Sequence, residues 1–256
     1  MNRPSLRSAL AKGPVLGTWS LIPSPTVHEL FAAGGMDFVI LDMEHGPYGI
    51  AEVEAGVRAC AATGCKALVR VRSLDGALIQ TVLDTGAEGI VVPRVSTAAE
   101  AKQAVAATRF PPDGTRGFNP FTRGNGYDPK NTPREEPFVC VIAEDKQACT
   151  EATLAEILNV PGLDAVYVGA YDLSVSLGHP GDVTHPDVLA TVERCVRQIQ
   201  IAGKFAGMMV RNEEGMKHAL ALGATMLAWS VDTDVVRNAV TMPVEMLKKL
   251  SPSAHS

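Results

Sequence analysis

The sequence predicts a single (β/α)8 barrel spanning residues 1–256, and three observations predict it. Strand-length apolar runs alternate with helical patterns eight times along the chain. Polar and charged residues gather where several of those runs end, as the shared rim of a barrel requires. No linker, low-complexity tract or charge block divides the chain. A doubly wound open sheet is the main alternative architecture.

The first strand covers residues 14–19, after which Ser24 as a cap and Pro25 in the first turn open a helix closed by Gly34-Gly35. The second strand begins at Phe38 and runs into Asp42, Glu44 and His45 before a Gly46-Pro47 turn. Residues 50–63 have helical spacing and stop at Gly64, and residues 67–72 form the third strand. A helix over 77–85 ends at Gly86 and leads to a fourth strand at 89–93, apolar on both faces as a parallel barrel strand is. Thr97 caps a helix to Arg109, and residues 110–137 follow as a long irregular section rich in glycine and proline. Loops of that length in a compact domain usually carry function. The fifth strand is 138–144 and the sixth 165–169, with a helix near 150–158 between them. Strands at 205–210 and 226–230 each follow a helix that runs into glycine, Gly203 and Gly223, and residues 233–250 form a last helix.

Composition narrows the partners. A net charge of -5 argues against nucleic acid or an anionic membrane surface, and no apolar run approaches the length of a membrane span. With no secretory signal pattern at the amino terminus, the expectation is a cytoplasmic protein acting on a small soluble ligand. Five cysteines, an odd number without Cys-x-x-Cys spacing, read as reduced core thiols rather than a disulfide frame or zinc site.

Strand ends carry the chemistry. His45 is a natural proton carrier beside Asp42 and Glu44, the bland alternative being an ordinary loop histidine. Glu144 and Asp172 lie 28 residues apart, about one βα unit, so they should stand on neighbouring strands and could share a hard divalent ion such as Mg²⁺ or Mn²⁺. Either acid alone would read as a cap or surface carboxylate. Arg70 leaves an apolar strand, where an unpaired guanidinium is costly, so a ligand oxygen or one of these acids must match it. Arg72 has the same parity; Arg70 is favoured because Ser73-Leu74-Asp75 already opens the next helix. Lys66 and Lys204 begin or precede strands at the end opposite the rim, away from any Schiff-base role. Trp19 ends the first strand as a pocket-lining or packing residue, and Trp229 reads as barrel packing. His28, His185 and His218 read as surface groups, and His179 has no evident partner.

Taken in order and spacing, Gly17-Thr18-Trp19, Asp42-Met43-Glu44-His45-Gly46-Pro47, Leu68-Val69-Arg70, the stretch Arg109-Phe110-Pro111-Pro112-Asp113-Gly114-Thr115-Arg116-Gly117, Glu144 and Gly169-Ala170-Tyr171-Asp172-Leu173-Ser174 resemble the HpcH/HpaI family of metal-dependent 2-oxo acid aldolases. The resemblance covers nearly the whole chain. It implies a (β/α)8 barrel whose last helix is exchanged between subunits of a dimer or hexamer. It also implies cleavage or formation of 4-hydroxy-2-oxo acids, giving pyruvate and an aldehyde. By matching positions, Glu144 and Asp172 would bind the divalent metal (Mg²⁺ or Mn²⁺, with Co²⁺ and Zn²⁺ as further candidates), Arg70 would hold the pyruvyl oxygen and His45 would move the aldol hydroxyl proton. Asp42 and Asp84 are the family-like acids for orienting His45, and Gly169, Ala170 and Tyr171 would present backbone amides to the substrate carboxylate.

Such a reaction develops enolate charge, which a cation and Arg70 could stabilise without a covalent lysine. The chain departs from the family pattern at Ile142-Ala143, where Gln-Ile is common, and at Ala170-Tyr171, where Pro-Ala is common. In the long loop, Arg116 and Arg123 are expected to help select or close over an acidic or polyhydroxylated aldehyde. Two rival readings remain: decarboxylation of an oxaloacetate-type 2-oxo acid at the same site, and a non-catalytic barrel that binds carboxylates.

Overall fold

The computed structural model describes residues 4–130 and 136–251. Eight parallel strands, β1 (Val15–Ser20), β2 (Phe38–Asp42), β3 (Lys66–Arg70), β4 (Gly89–Val92), β5 (Phe138–Ala143), β6 (Ala165–Val168), β7 (Phe205–Val210) and β8 (Met226–Val231), close in sequence order into one barrel. The predicted fold class is therefore the observed one. The connecting helices are α2 (Pro25–Ala33), α3 (Ile50–Thr63), α4 (Gly76–Asp84), α5 (Ala98–Thr108), α6 (Glu151–Leu158), α7 (Ala170–Ser176), α8 (Pro186–Ile201), α9 (Glu213–Leu222) and α10 (Asp232–Leu250). A further short helix, α1 (Leu6–Leu10), precedes the barrel. No helix among the described residues is long and apolar enough to cross a membrane.

Side-chain alternation along each strand divides the apolar residues into two cores. Phe38, Ile40, Leu68, Phe138, Cys140, Ile142, Tyr167 and Met226 fill the barrel interior together with Leu6 and Leu10 of α1. Val39, Leu41, Val69, Val139, Val141 and Val166 face outward and pack under the helices. The α1 plug is absent from the sequence reading, because five residues are too few to show a helical period. The five cysteines are buried and free, as expected.

Helix stops follow the glycine signals. At Gly64 the chain turns with φ +79°, the left-handed region that a side chain resists, so α3 ends there and β3 begins two residues later. Strand β3 ends at Arg70, so Arg72 lies beyond it and braces the preceding turn, donating from Nε to the Met43 carbonyl at 3.0 Å and from Nη2 to the Tyr48 carbonyl at 2.7 Å.

One buried polar knot at the rim ties the end of β1 to the segment that follows β8. Ser20 Oγ lies 3.1 Å from His28 Nε2 and 2.7 Å from the Tyr48 hydroxyl, and donates to Asp232 Oδ2 at 2.8 Å. Asp232 also accepts the Leu21 and Ile22 amides. His28 was expected at the surface, yet it is fully buried, because α2 turns it inward onto these hydroxyls. Burial lowers its pKa to about 4, so it is neutral in the folded protein, despite the opposing Asp232 charge.

Candidate active site

The inward rows of the strands run on into the rim. Asp42 continues Phe38 and Ile40; Arg70 continues Leu68; Glu144 continues Cys140 and Ile142; Gly169 continues Tyr167; Arg211 continues Gly207 and Met209. All of these line one cavity of about 540 Å³, together with Trp19, His45, Ala170, Tyr171 and Asp172. The structure thus brings most of the sequence-predicted site residues together at the carboxyl ends of the strands. Lys66 and Lys204 stand at the other end, held by Glu88 at 3.6 Å and by the Leu163 carbonyl at 2.7 Å.

On the β2–β3 side the charges are matched. Asp42 and Arg70 are register partners, and Asp42 accepts Arg70 Nε at 2.8 Å and Nη2 on its second oxygen. The same carboxylate accepts the Glu44 and His45 amides at 2.9 and 3.2 Å, which folds the turn after β2. Asp42 therefore fixes His45 through its backbone. The imidazole itself is exposed to the cavity and has no hydrogen-bond partner among the described residues. Arg70 Nη1 lies 3.2 Å from Glu44, its guanidinium stacks 4.5 Å over the Trp19 ring, and Trp19 Nε1 donates to the Tyr167 hydroxyl at 3.0 Å. Trp19 is 5% exposed and serves packing and pocket at once.

On the β5–β6 side they are not matched. Glu144 is 6% exposed and accepts only the Arg94 amide, at 2.7 Å, and no cation lies within ion-pair distance among the described residues. Burial pushes its pKa up to about 7; the Arg94 amide and, at longer range, the Arg70 charge oppose this, while the charges of Asp172 and Glu44 add to it. Asp172 sits in the first turn of α7, a helix that the sequence reading left as a strand-end loop. Gly169 makes room for this: a Cβ there would meet Glu144 Cβ at 2.7 Å and Oε2 at 2.8 Å. A buried carboxylate beside a second one, both oxygen donors and neither neutralised, suits a hard cation that keeps waters and substrate oxygens. The residues present fit a Mg²⁺- or Mn²⁺-class ion.

Two residues here were missed. Arg94 holds a left-handed backbone (φ 56°) that aims its amide at Glu144, and its side chain reaches Glu44 at 3.1 Å. Arg211 stacks over Tyr171 at 5.5 Å. Both lie at strand ends, the same signal that marked Arg70. The Ile142-Ala143 departure also resolves: Ile142 faces the cavity, whereas Ala143 packs outward.

Three expected site residues lie elsewhere in the chain. Asp84 ends α4 at the amino-terminal face of the barrel, where it pairs with Arg116 Nη2 at 2.7 Å. Arg116 is 6% exposed and stacks on Phe110, and Arg123 donates to the Thr85 carbonyl at 2.9 Å. The reason is topological. The long loop joins a helix to the next strand, and such connections run under the barrel, opposite the rim. Asp84 cannot orient His45 within one chain, and neither arginine closes over this cavity.

His179 does have partners: its Nε2 lies 3.2 Å from Asp187, and its ring stacks on His185 with centroids 3.4 Å apart. The three side chains could be taken for a cation site. However, lone pairs of two nearly parallel rings do not converge, and an ion midway would sit half that separation out of each plane, most of a ~2.0–2.1 Å bond. His185 Nδ1 is moreover the acceptor that caps α8. His218 lies at the surface as expected, and Trp229 packs against the outer core.

The family model described as HpcH/HpaI aldolase/citrate lyase matches residues 16–239. A 4-hydroxy-2-oxo-heptane-1,7-dioate aldolase from Shigella sonnei is 35% identical over 239 residues, 92% of this chain and 91% of that protein. Among solved structures, an HpcH/HpaI aldolase/citrate lyase family protein from Burkholderia cenocepacia J2315 superposes with a TM-score of 0.90 at 29% identity, covering 97% of this chain and 100% of that one. An HpcH/HpaI aldolase from Desulfitobacterium hafniense DCB-2 does so with a TM-score of 0.88 at 30% identity, over 95% and 96%.

Proposed function

The chain belongs to the HpcH/HpaI aldolase/citrate lyase family, and from that membership we propose that it is a divalent-cation-dependent aldolase, cleaving or forming 4-hydroxy-2-oxo acids with pyruvate and an aldehyde as the partners. The observation that carries the reading is Glu144, a buried carboxylate beside Asp172 that forms no ion pair with a protein cation among the described residues, Arg70 acting on it only at longer range. Bound there, a Mg²⁺- or Mn²⁺-class ion supplies Lewis-acid stabilisation of charge growing on the 2-oxo oxygen.

The chain's own residues do the rest. Of the five N–H donors of a guanidinium, three meet Asp42 and Glu44, which leaves two of Arg70 for a substrate oxygen. Those acids hold Arg70 in place before substrate arrives, so little reorganisation is needed as charge develops. His45 takes the proton from the 4-hydroxyl in cleavage and returns it in synthesis, a role that suits an unpartnered imidazole on the cavity wall. Amides in the first turn of α7 receive the substrate carboxylate, where Gly169 keeps the approach open. Trp19 and Tyr167, packed edge to face and joined by the indole hydrogen bond, form a largely apolar wall that limits water.

Assembly belongs to the same reading. Along α10 only Asp232 is buried, while Val236, Val240, Val244 and Leu247 form an exposed apolar stripe. A second copy of the chain is the partner that would cover it, and any catalytic part for Asp84, Arg116 or Arg123 would have to be played in that copy's site.

The test is exchange of the pyruvate methyl protons with deuterium, followed by NMR in the presence of Mg²⁺ or Mn²⁺ and then of excess chelator. Chelator-sensitive exchange supports enolate chemistry at this site. Its absence with the ion bound contradicts the reading. Release of carbon dioxide from oxaloacetate, without aldehyde release from any 4-hydroxy-2-oxo acid, would move the chain to a decarboxylase.

A further inference from the structure

The cavity contains a cation that the reaction proposed above does not use. Arg211 follows β7 on the inward row, its guanidinium rests over the Tyr171 ring at 5.5 Å, and both line the cavity. No carboxylate forms an ion pair with it among the described residues. Asp234, whose charge it feels at longer range, is committed to the Ser230 hydroxyl at 2.7 Å and to Arg237 at 3.2 Å. Arg70 differs in being clamped by two acids. The two arginines also stand apart, since β3 and β7 are diametrically opposed in a closed eight-stranded barrel whose strands follow sequence order.

The wall near this second cation is otherwise apolar, with Leu21, Val183, Met209 and Val231. A guanidinium seated on an aromatic ring, next to an apolar surface, recognises a carboxylate at the end of a short hydrocarbon chain. Resting on the aldolase reading, we propose that Arg211, held by Tyr171, is a specificity-determining residue that selects acceptor aldehydes bearing an anionic group at the end away from the carbonyl. A dianion such as the 1,7-dioate after which the Shigella sonnei relative is named would then lie across the mouth, its 2-oxo acid end on the Arg70 side and its distal charge at Arg211. Tyr171, one of the two departures from the family pattern, has a role in this arrangement: it supplies the ring on which the cation rests.

The experiment compares aldol addition of pyruvate to 4-oxobutanoate and to butanal, acceptors of equal carbon number that differ in the terminal charge, in the parent, Arg211→Met and Arg211→Lys. The parent is expected to prefer 4-oxobutanoate. The kcat/KM ratio between the two acceptors should fall by about 10- to 100-fold in Arg211→Met, the range for loss of a charge-assisted hydrogen bond, and Arg211→Lys should restore part of it. Equal losses with both acceptors, a raised KM for pyruvate with both, or an unchanged ratio would overturn the assignment. A parent that turns over neither acceptor contradicts the aldolase reading itself, and the inference with it, whereas turnover with equal losses contradicts only the role of Arg211.

Discussion

Asp42 and Glu144 are both buried rim acids, yet they do opposite things to the folded state. Asp42 accepts two turn amides and two guanidinium N–H groups, so Asp42→Ala would leave Arg70 desolvated and half-paired and untie the turn that holds His45. Breaking one partner of such a buried pair costs about 3–5 kcal/mol, and a fall of that size in unfolding free energy by urea titration is expected. Glu144 instead forms no ion pair among the described residues, and burial works against its charge. Glu144→Gln should leave the cation-free protein at least as stable as the parent at pH 8, while abolishing cation-dependent turnover. A Gln variant with full activity and the same cation requirement would remove Glu144 from the mechanism. His45→Ala is expected to lower kcat by about 10²- to 10⁴-fold, the usual worth of a general acid–base group, with no change in thermal midpoint. At this scale the sequence was readable wherever a polar residue extended an inward strand row, as at Asp42, Arg70 and Glu144. The same rule, applied to the end of β7, would have found Arg211; Arg94 has the outward parity of Ile90 and Val92 and reaches the site only through its left-handed backbone.

At the scale of elements, the knot of Ser20, His28, Tyr48 and Asp232 joins β1, α2, the turn after β2 and the start of α10. Its histidine titrates near 4 when folded and near 6.5 when unfolded. Between those values the unfolded chain binds more protons, so stability is whole above pH 6.5 and declines as pH falls toward 4, by about 1.4 kcal/mol per pH unit from this group. Glu144, raised to about 7, contributes a slope of the opposite sign over the same range, so the reading is a difference: in urea unfolding at pH 5 and pH 7, the parent should gain stability relative to His28→Gln as pH rises. Equal slopes would contradict the burial account. Sequence could not reveal this knot, because its members come from four separated elements and each alone resembles an ordinary helix or turn residue. The side of the barrel taken by residues 110–130 was a different matter. Element order alone places a helix-to-strand connection under the barrel, whatever charges it carries.

For the whole molecule, barrel closure was legible because eight alternating units with apolar strands permit few other arrangements. That a second copy covers α10 is an expectation of the resemblance alone. Its exposed stripe is nonetheless a physical demand, since a surface helix with Val236, Val240, Val244 and Leu247 open to water is poorly soluble alone. Light scattering is expected to find an oligomer in solution, and Val240→Glu with Leu247→Glu to release monomers; a parent that is already monomeric would remove α10 from assembly. The central claim, that uncompensated rim carboxylates hold a cation for 2-oxo acid chemistry, is tested most directly by pyruvate formation. A small panel of 4-hydroxy-2-oxo acids would be incubated in matched samples with Mg²⁺ or Mn²⁺ and with excess chelator. Pyruvate and aldehyde released together, lost with chelator and recovered on adding the ion back, is the expected result. No release from any member of the panel, with the ion shown to be bound, would contradict it.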